Sequence, residues 1–490
     1  MRSRLGGAAL VLSVGLLSVS HSMATAQGGD RGLPETCSAQ RVGPTAGQSS
    51  RIARWGGGWV SIRFPSLMSD PEIEPTGHRM MNFHPDPENP LTIVVSSMKR
   101  AYLTSDGGCN WRKVFAISDH ADVGLVECQL AGMEPRAAAC SQILSIELVP
   151  VPNGPPRIYM QVVDRLSTGD AGVVRTHLFI SENLGRSWTL ADNNDGIEGL
   201  KFSLGWGPLA FFPGDSDTVY AMRQLDNSAY PPARLYVSHD GGYTWGGMTT
   251  LPSRHSWEKM ADAAKSPAAY HPIFVGAHDP RKIWVRLQDG FFRSQDAGAT
   301  WERVPLPDLL GEGVRLSTDE ERTNAYQVFD WLVVSEGRGT TMLISTRPET
   351  SEQWYSPNPD RFFFSKDEGV SWVEIKLPRD PLASAAQLAL GASPRVVFVI
   401  ELYGNQAAFS SNPASVLRVD TETRKATNIR LESMISSDLS LQVQPHYSQG
   451  ALYFLTDCGF YGSTGLPTGD LFQTKPISCK SIDRFTGRGT

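Results

Sequence analysis

The sequence predicts an all-β fold, a single β-propeller of about seven four-stranded antiparallel blades. Three observations lead to this expectation: an eight-residue motif occurs five times, a short apolar run precedes each copy, and a Pro/Asp-rich turn recurs in step with it. Each repeat therefore contains strand a, a Pro/Asp turn, strand b, a loop, strand c, the motif turn and strand d. Four antiparallel strands that recur with such a period form a propeller blade.

The motif reads Ser/Thr-x-Asp-x-Gly-x-Thr/Ser-Trp, with Asn110 in place of Thr in the first copy and Asn183 in place of Asp in the second. Glycine permits the positive φ of a tight turn, the Asp carboxylate accepts bonds from nearby backbone N–H groups, and the Trp buries a large apolar face. We expect these residues to hold turns and to perform no chemistry. The turn-holding residues are Asp106, Trp111, Asn183, Trp188, Asp240, Trp245, Asp296, Trp301, Asp367 and Trp372.

These copies resemble the Asp-box, or bacterial neuraminidase repeat, of sialidases, sortilin-type receptors, xyloglucan-cleaving glycosidases and photosystem II assembly factors. The resemblance is closer to the sortilin-type and xyloglucanase-type propellers, and it covers residues from about 79 to 375. Xyloglucanases use two propellers with a cleft between them, whereas this chain has residues for one. Sortilin-type domains carry a Cys-rich appendage that is absent here. The resemblance therefore implies a binding or assembly module.

The blade count follows from the spacing of the motif. The closing Trp residues are 77, 57, 56 and 71 residues apart, and the residues after Trp372 suffice for two more blades. Seven blades result, although the same length would accommodate six or eight. The segment 58–64 is expected to supply an outer strand to the last blade, which closes the ring and removes a free edge. A helical stretch at 257–265 is expected to be an insertion.

The N-terminus has the features of a secretory signal peptide. Arg2 and Arg4 precede the apolar stretch 8–19, and Ala24-Thr25-Ala26 offers a small-residue cleavage site. We expect a signal peptide at 1–26, an N-terminal tail at 27–50 and the propeller at 51–490. An uncleaved membrane anchor is the alternative, for which the apolar run is short. The mature protein is therefore expected to be secreted or extracytoplasmic, without a membrane span.

The six cysteines of an exported chain predict three disulfides. Proximity favours the pairs Cys128–Cys140, Cys458–Cys479 and Cys37–Cys109, but connectivity stays open because six cysteines allow 15 pairings. No CxxC, HxH or HExxH sequence occurs, so neither a metal nor a cofactor is expected. The net charge of −6, with interspersed signs, gives no reason to expect nucleic acid or an anionic membrane as partner, and we expect a monomer.

Two groups of residues are candidates for ligand binding, because b–c and d–a loops share one face of a propeller and binding residues gather on loops. The b–c loops predicted at 164–176, 223–234, 347–361 and 402–414 include the aromatic candidates Tyr230, Trp354 and Tyr355. The predicted starts of inner strands add Arg79, Trp206, His271 and Tyr326. Flat aromatic groups suit stacking on sugar rings or packing on a protein partner. Each of them could instead simply anchor its own loop.

An enzymatic alternative comes from Ile62-Arg63-Phe64-Pro65, which resembles the Phe/Tyr-Arg-Ile-Pro motif of sialidases. The resemblance implies that Arg63 grips the sialate carboxylate and that an acid follows, for which Asp70 is the nearest candidate. The order around Arg63 is altered, however, and of the predicted inner-strand starts only one, at Arg79, carries an arginine.

The sequence therefore predicts a secreted propeller that binds an extracellular glycan or protein through its loop-rich face. The alternative is an exo-glycosidase of sialidase type that hydrolyses terminal sialic acids.

Overall fold

A computed structural model describes part of the chain, and the structural statements that follow concern that part. The described residues are 59–62, 82–86, 88–89, 91–97, 99–107, 110–127, 141–166, 173–191, 206–212, 215–224, 233–252, 273–276, 278–287, 290–307, 328–336, 339–346, 361–377, 385–390, 396–404, 411–429, 444–448, 451–456 and 459–463. The signal sequence, the N-terminal tail, the stretch 257–265 and all six cysteines lie outside them, so those expectations stay predictions.

The described residues form seven four-stranded antiparallel sheets. Strand β1 (Trp59–Ile62) precedes sheet 1, which contains β2 (Asn82–Pro85), β3 (Ile93–Ser96), β4 (Arg100–Thr104) and β5 (Arg112–Ala116). Sheet 2 contains β6 (Ser141–Val149), β7 (Arg157–Leu166), β8 (Val173–Ser181) and β9 (Thr189–Leu190). Sheet 3 contains β10 (Trp206–Phe211), β11 (Val219–Gln224), β12 (Ala233–Ser238) and β13 (Gly246–Thr250). A short 3-10 helix, Ile117–Val123, follows β5.

The remaining sheets repeat the same order. Sheet 4 contains β14 (Ile273–Val275), β15 (Ile283–Leu287), β16 (Gly290–Ser294) and β17 (Glu302–Val304). Sheet 5 contains β18 (Val328–Glu336), β19 (Gly339–Thr346), β20 (Phe362–Ser365) and β21 (Val373–Ile375). Sheet 6 contains β22 (Ala385–Leu390), β23 (Val396–Gly404), β24 (Ser411–Asp420) and β25 (Ala426–Ile429). Sheet 7 contains β26 (Gln444–Ser448), β27 (Ala451–Thr456) and β28 (Gly459–Ser463), with β1 as its outer strand.

The sheets form a closed ring. The first strands of neighbouring sheets contact one another, including β2 with β6, β10 with β14 and β18 with β22, so these strands surround the axis. The contact of β26 with β2 closes the ring, and β1 pairs with β28 from Trp59 opposite Ser463 to Ile62 opposite Phe460. The predicted propeller and its closure by the segment around 58–64 are therefore confirmed. The blade number of the whole chain stays a prediction.

The core lies between the sheets, because the blades present apolar residues on both faces. The cluster between sheets 1 and 2, for example, joins Leu103 and Phe115 to Leu148 and Phe179. Similar clusters join sheet 2 to 3, 3 to 4, 4 to 5 and 5 to 6. Strand b must face a neighbour on both sides, which is why β3 and β15 are buried at every position.

The motif turns are held by their own side chains. In the fourth copy, Ser294 Oγ donates to Asp296 Oδ1 at 2.8 Å, and Asp296 accepts from the Thr300 amide at 2.8 Å and the Thr300 hydroxyl at 2.6 Å. Hydrogen bonds from Thr300 and Ser294 lower the pKa of Asp296. The third and fifth copies repeat this arrangement.

The two altered copies keep the same bonds with different donors. Asn110 Nδ2 donates to Asp106 Oδ2 at 2.7 Å in place of the missing hydroxyl. Asn183, which has no second carboxylate oxygen, donates from Nδ2 to Ser187 Oγ at 2.7 Å and accepts the Ser187 amide at 2.9 Å. Hydrogen bonds within their own turn therefore hold the motif Asp and Asn side chains in all five copies.

The second, fourth and fifth motif turns pack on the outer strand of the preceding sheet, and the third packs on Ile180 and Tyr159 of the sheet before it. Gly185 has φ +75°, and a Cβ there would lie 2.5 Å from Val114 Cβ in β5. Gly369, with φ +86°, faces Val304 of β17 in the same way. The indole of Trp188 donates to the Val114 carbonyl and that of Trp372 to the Pro305 carbonyl, both at 2.7 Å. The motif glycine and tryptophan therefore join neighbouring blades as well as shaping the turn.

Several boundaries differ from the expectations. Strands β7 and β8 extend into the loop predicted at 164–176, so the connection shortens to 167–172. Likewise, β11, β12, β23 and β24 narrow the predicted loops at 223–234 and 402–414 to 225–232 and 405–410. Two paired strands keep their hydrogen bonds for as long as their residues stay in register. The composition of a segment does not show where that pairing ends.

We expect Gly185→Ala and Gly369→Ala to lower the free energy of unfolding by about 2–4 kcal/mol, since each adds backbone strain and a clash with the preceding sheet. Urea unfolding of the purified variants measures the change.

Gly124→Ala is the matched control, because Gly124 also has a positive φ of +87° but a Cβ there meets nothing within 4 Å. A loss of about 1 kcal/mol is expected from the backbone alone. Equal losses in all three variants would contradict the role of packing between sheets.

Candidate functional site

The turns within the a–b and c–d strand pairs lie at one end of the sheets, and the b–c and d–a connections lie at the other end. In sheets 3 and 4 the a–b turn is bonded to the motif turn, by the Gly241 amide to the Asp217 carbonyl at 2.8 Å and by the Ala297 amide to the Arg281 carbonyl at 2.9 Å. We call this surface the turn face. The b–c and d–a connections begin and end at the opposite surface, which we call the loop face.

The ligand residues that the sequence assigns to the loop face mostly lie outside the described residues. Trp206 is the first residue of β10, so it starts an inner strand as predicted. Arg63 directly follows the last residue of β1. The other candidates, which the described residues do not include, are Asp70, Arg79, Tyr230, His271, Tyr326, Trp354 and Tyr355.

Three titratable side chains that the structure describes lie on the inner strands β2, β6 and β18. His84 lies on β2, partly buried, and its Nδ1 accepts the Leu148 amide of β6 at 3.3 Å. The imidazole therefore satisfies an N–H at the inner edge of the next sheet, an edge that has no further strand to pair with.

Glu147 is the second of these groups. Ile146 and Leu148 pack toward sheet 1, so Glu147 points to the other face of β6, where its cross-strand partner Tyr159 packs against sheet 3. The side chain keeps partial contact with solvent, yet burial raises the pKa of Glu147 to about 7. A carboxyl that the protein surrounds but solvent still reaches can take up and release protons near neutral pH.

Asp330 on β18 is the third group, and it is only 5% exposed. Its Oδ1 accepts the Trp331 amide and its Oδ2 accepts the Leu388 amide of β22, each at 2.8 Å. Burial raises the pKa of Asp330 to about 7, although both N–H bonds and the charge of Arg286 act to lower it. With both oxygens occupied by backbone donors, this carboxyl joins sheets 5 and 6.

The inner strands are irregular toward the loop face. The register of β6 shifts between Ile143 and Ser145, which leaves Leu144 at 52% exposure. Shifts also occur in β10 between Trp206 and Leu209 and in β18 between Val328 and Asp330. Such bulges redirect a side chain out of the regular pattern, a device that is frequent next to binding sites.

On the turn face, a buried arginine joins sheets 2 and 3. Arg157 Nη1 donates to the Tyr159 hydroxyl and the Ser216 carbonyl at 3.1 and 3.0 Å, while Nη2 pairs with Glu182 and Asp217 at 3.1 Å. The Tyr159 hydroxyl in turn donates to the Gly241 carbonyl at 2.9 Å. The charge is compensated by its partners, so this cluster is a structural contact between blades.

Sequence reasoning missed Glu147, Asp330 and Arg157. The available signal was one acidic residue in each of two otherwise apolar segments, Ile146–Val149 and Val328–Val334. Within the described residues there is no group of three His, Cys, Asp or Glu side chains suited to a metal, and no helix long and apolar enough to cross a bilayer.

No protein-family model matches the sequence, and the comparison with curated proteins finds no match. Among solved structures, the chain is similar to YCF48 from Cyanidioschyzon merolae, with 11% identity over 83% of this chain and 99% of that protein and a TM-score of 0.44. It is also similar to an ancestral GH74 enzyme, with 12% identity over 78% of this chain, 44% of the enzyme and a TM-score of 0.45.

Oligogalacturonate lyase in complex with manganese is a third similar structure, with 10% identity over 85% of this chain and 95% of the lyase and a TM-score of 0.47. Identities this low bear on the fold alone. The propeller itself is established by the sheets and their closed ring.

We expect Arg157→Met to lower the free energy of unfolding by about 2–4 kcal/mol, because the Ser216 carbonyl and the Tyr159 hydroxyl lose a buried donor. Arg281→Met, which removes an exposed arginine paired with Asp279, is the control and should leave stability unchanged. Thermal and urea unfolding measure both; a similar loss in the two variants would argue against a special role for Arg157.

Glu147 gives a pH-dependent expectation. Because its pKa in the folded protein lies above the ordinary 4.5, the charged form disfavours folding, and this contribution grows from about pH 4.5 to 7 and is constant above. Glu147→Gln should therefore be more stable than the wild type at pH 8, by about 1–2 kcal/mol since solvent reaches the group, and equal to it near pH 4.5. Urea unfolding across this range tests it; parallel profiles would contradict the assignment.

Proposed function

We propose that this chain is a secreted Asp-box β-propeller that binds an extracellular glycan or protein through its loop face. The secreted state is inferred from the N-terminal residues, and the Asp-box assignment from the five motif copies and the hydrogen bonds within them. The observation that carries the proposal is that the two faces differ. The described polar groups of the turn face bond to one another, which leaves the loop face for recognition.

The turn face has little left to offer a ligand among its described polar groups. The motif carboxylates Asp240, Asp296 and Asp367 each accept a backbone amide and two hydroxyl groups of their own turn. The two Nη atoms of Arg157 donate to four partners within sheets 2 and 3. Such internally satisfied groups stabilise turns but gain little from a ligand.

The loop face has longer connections and irregular strand ends. The d–a segments 251–272 and 305–327 and the b–c segment 347–361 join strands at this face, whereas β18 and β19 are joined at the turn face by two residues. The exposed Leu144 lies in a bulge at the same end. An apolar surface with nearby polar groups suits a sugar ring or a protein side chain.

The sialidase alternative has less support. None of the described inner strands contains an arginine or a lysine. A triad that grips a carboxylate would therefore have to come from connecting segments, with Arg63 and Arg79 as the sequence candidates.

Binding and hydrolysis can be separated with the purified mature protein. A fluorogenic sialoside and other glycosides test hydrolysis between about pH 4 and 8, and a glycan array with an extracellular protein pull-down tests binding. We expect no turnover, and binding that falls at least about tenfold in Tyr230→Ala or Trp354→Ala.

Val373→Ala is the matched control, since Val373 is a 40% exposed residue of the outer strand β21, away from the loop face. Sialoside turnover that disappears in Arg63→Ala would replace this proposal with the sialidase alternative. Binding that Val373→Ala weakens as much as Trp354→Ala would contradict recognition through the loop face.

A further inference from the structure

The inner strands of sheets 2 and 3 lie farther apart than those of most neighbouring sheets. Around the axis β2 lies close to β6, β10 to β14 and β18 to β22, whereas the described residues of β6 and β10 do not approach each other so closely. Strands β14 and β18 are also more widely separated. We call the space between β6 and β10 the axial gap.

One position on the inner strand differs in chemistry from seam to seam. The register of strands a, b and c, counted from the first motif residue, makes His84, Glu147 and Phe274 equivalent. His84 accepts the Leu148 amide across its seam, and the Phe274 ring packs edge-on against Trp331, with ring centroids 4.8 Å apart. Glu147 faces sheet 3, but none of the described residues forms a hydrogen bond or an ion pair with its carboxylate.

A hydroxyl and an aromatic ring flank Glu147 on the same side of sheet 2. Ser145, two residues earlier on β6, donates from Oγ to Gln161 Oε1 at 2.9 Å, which leaves the lone pairs of its oxygen as acceptors. From β10, the partly exposed ring of Phe211 packs on Tyr159 with centroids 4.6 Å apart, and Tyr159 is the cross-strand neighbour of Glu147. The axial gap therefore combines a carboxylate, a hydroxyl oxygen and an aromatic ring.

The charge of Glu147 has no counterpart among the described residues. Arg157 lies on the same seam, but its guanidinium is paired with Glu182 and Asp217. Burial is the cause of the raised pKa of Glu147, without a contribution from a charged neighbour in the described part of the chain. A carboxylate largely surrounded by protein gains most from a cation that also donates hydrogen bonds.

We propose that the axial gap binds an organic ammonium group, with Glu147 as its counter-ion, Ser145 Oγ as a hydrogen-bond acceptor and the Phe211 ring as a wall. An ammonium group has three N–H donors and is attracted to the faces of aromatic rings. A calcium or magnesium ion fits less well, because it requires about six oxygen ligands. The site goes beyond recognition through the loop face and does not depend on it.

Isothermal titration calorimetry of the full mature chain at pH 8, where the Glu147 carboxyl is ionised, tests the site with butylammonium chloride. We expect a Kd of about 1–10 mM for butylammonium and no measurable binding of 1-butanol, which has the same chain without the charge. Glu147→Gln should weaken butylammonium binding at least about tenfold. Nα-acetyl-lysine methylamide and putrescine, titrated in parallel, distinguish a protein lysine from a free amine as the source of the group.

Glu302→Gln is the matched control, because it removes an exposed carboxylate of the outer strand β17 and should leave the affinity unchanged. Absence of butylammonium binding to the wild type up to about 100 mM would overturn the proposal, and this result requires no variant. Equal affinity of Glu147→Gln and the wild type would overturn it as well. So would binding of 1-butanol as tight as that of butylammonium, or an equal loss of affinity in Glu302→Gln.

Discussion

The packing of the motif turns of sheets 2 to 5 on the preceding sheet is the contact that fixes these blades against one another. A tight turn with two successive positive-φ residues, such as Leu184 and Gly185, brings a glycine Cα against the neighbouring sheet, where no Cβ would fit. In the second and fifth copies the following tryptophan also donates to a carbonyl of the preceding sheet, as Trp188 does at Val114. One short motif thus fixes both a hairpin and the position of the next blade.

Polar contacts at the axis complement those at the periphery. His84 and Asp330 each accept an inner-edge amide of the following sheet, because inner strands have one side without a partner strand. Different residue types solve the same problem at these two seams. The two residues differ in one respect: burial at the seam raises the pKa of the Asp330 carboxyl to about 7.

The division between a turn face with internally bonded polar groups and a loop face with irregular strands is the basis of the proposed recognition through the loop face. Regular hairpins, ion pairs such as Arg157 with Asp217, and motif carboxylates occupy one end of the ring. Bulges and long connections occupy the other, where the register shift in β6 leaves Leu144 exposed. In the proposed function, stability and recognition are separated, because the loops lie apart from the apolar clusters between the sheets.

The sequence by itself determined the repeat, the strand order within a blade and the structural role of residues such as Asp296 and Trp372, because these depend on bonds between residues close in the chain. It also indicated the closing strand β1 through its apolar run. Only the tertiary structure decided which acidic side chains have a raised pKa. In the sequence, Glu147 and Asp330 look like any other strand residues, and their pKa values rise because packing between the sheets buries them. Sheet 6 lacks the motif and is identified through its strand pairing and its apolar contact with sheet 5.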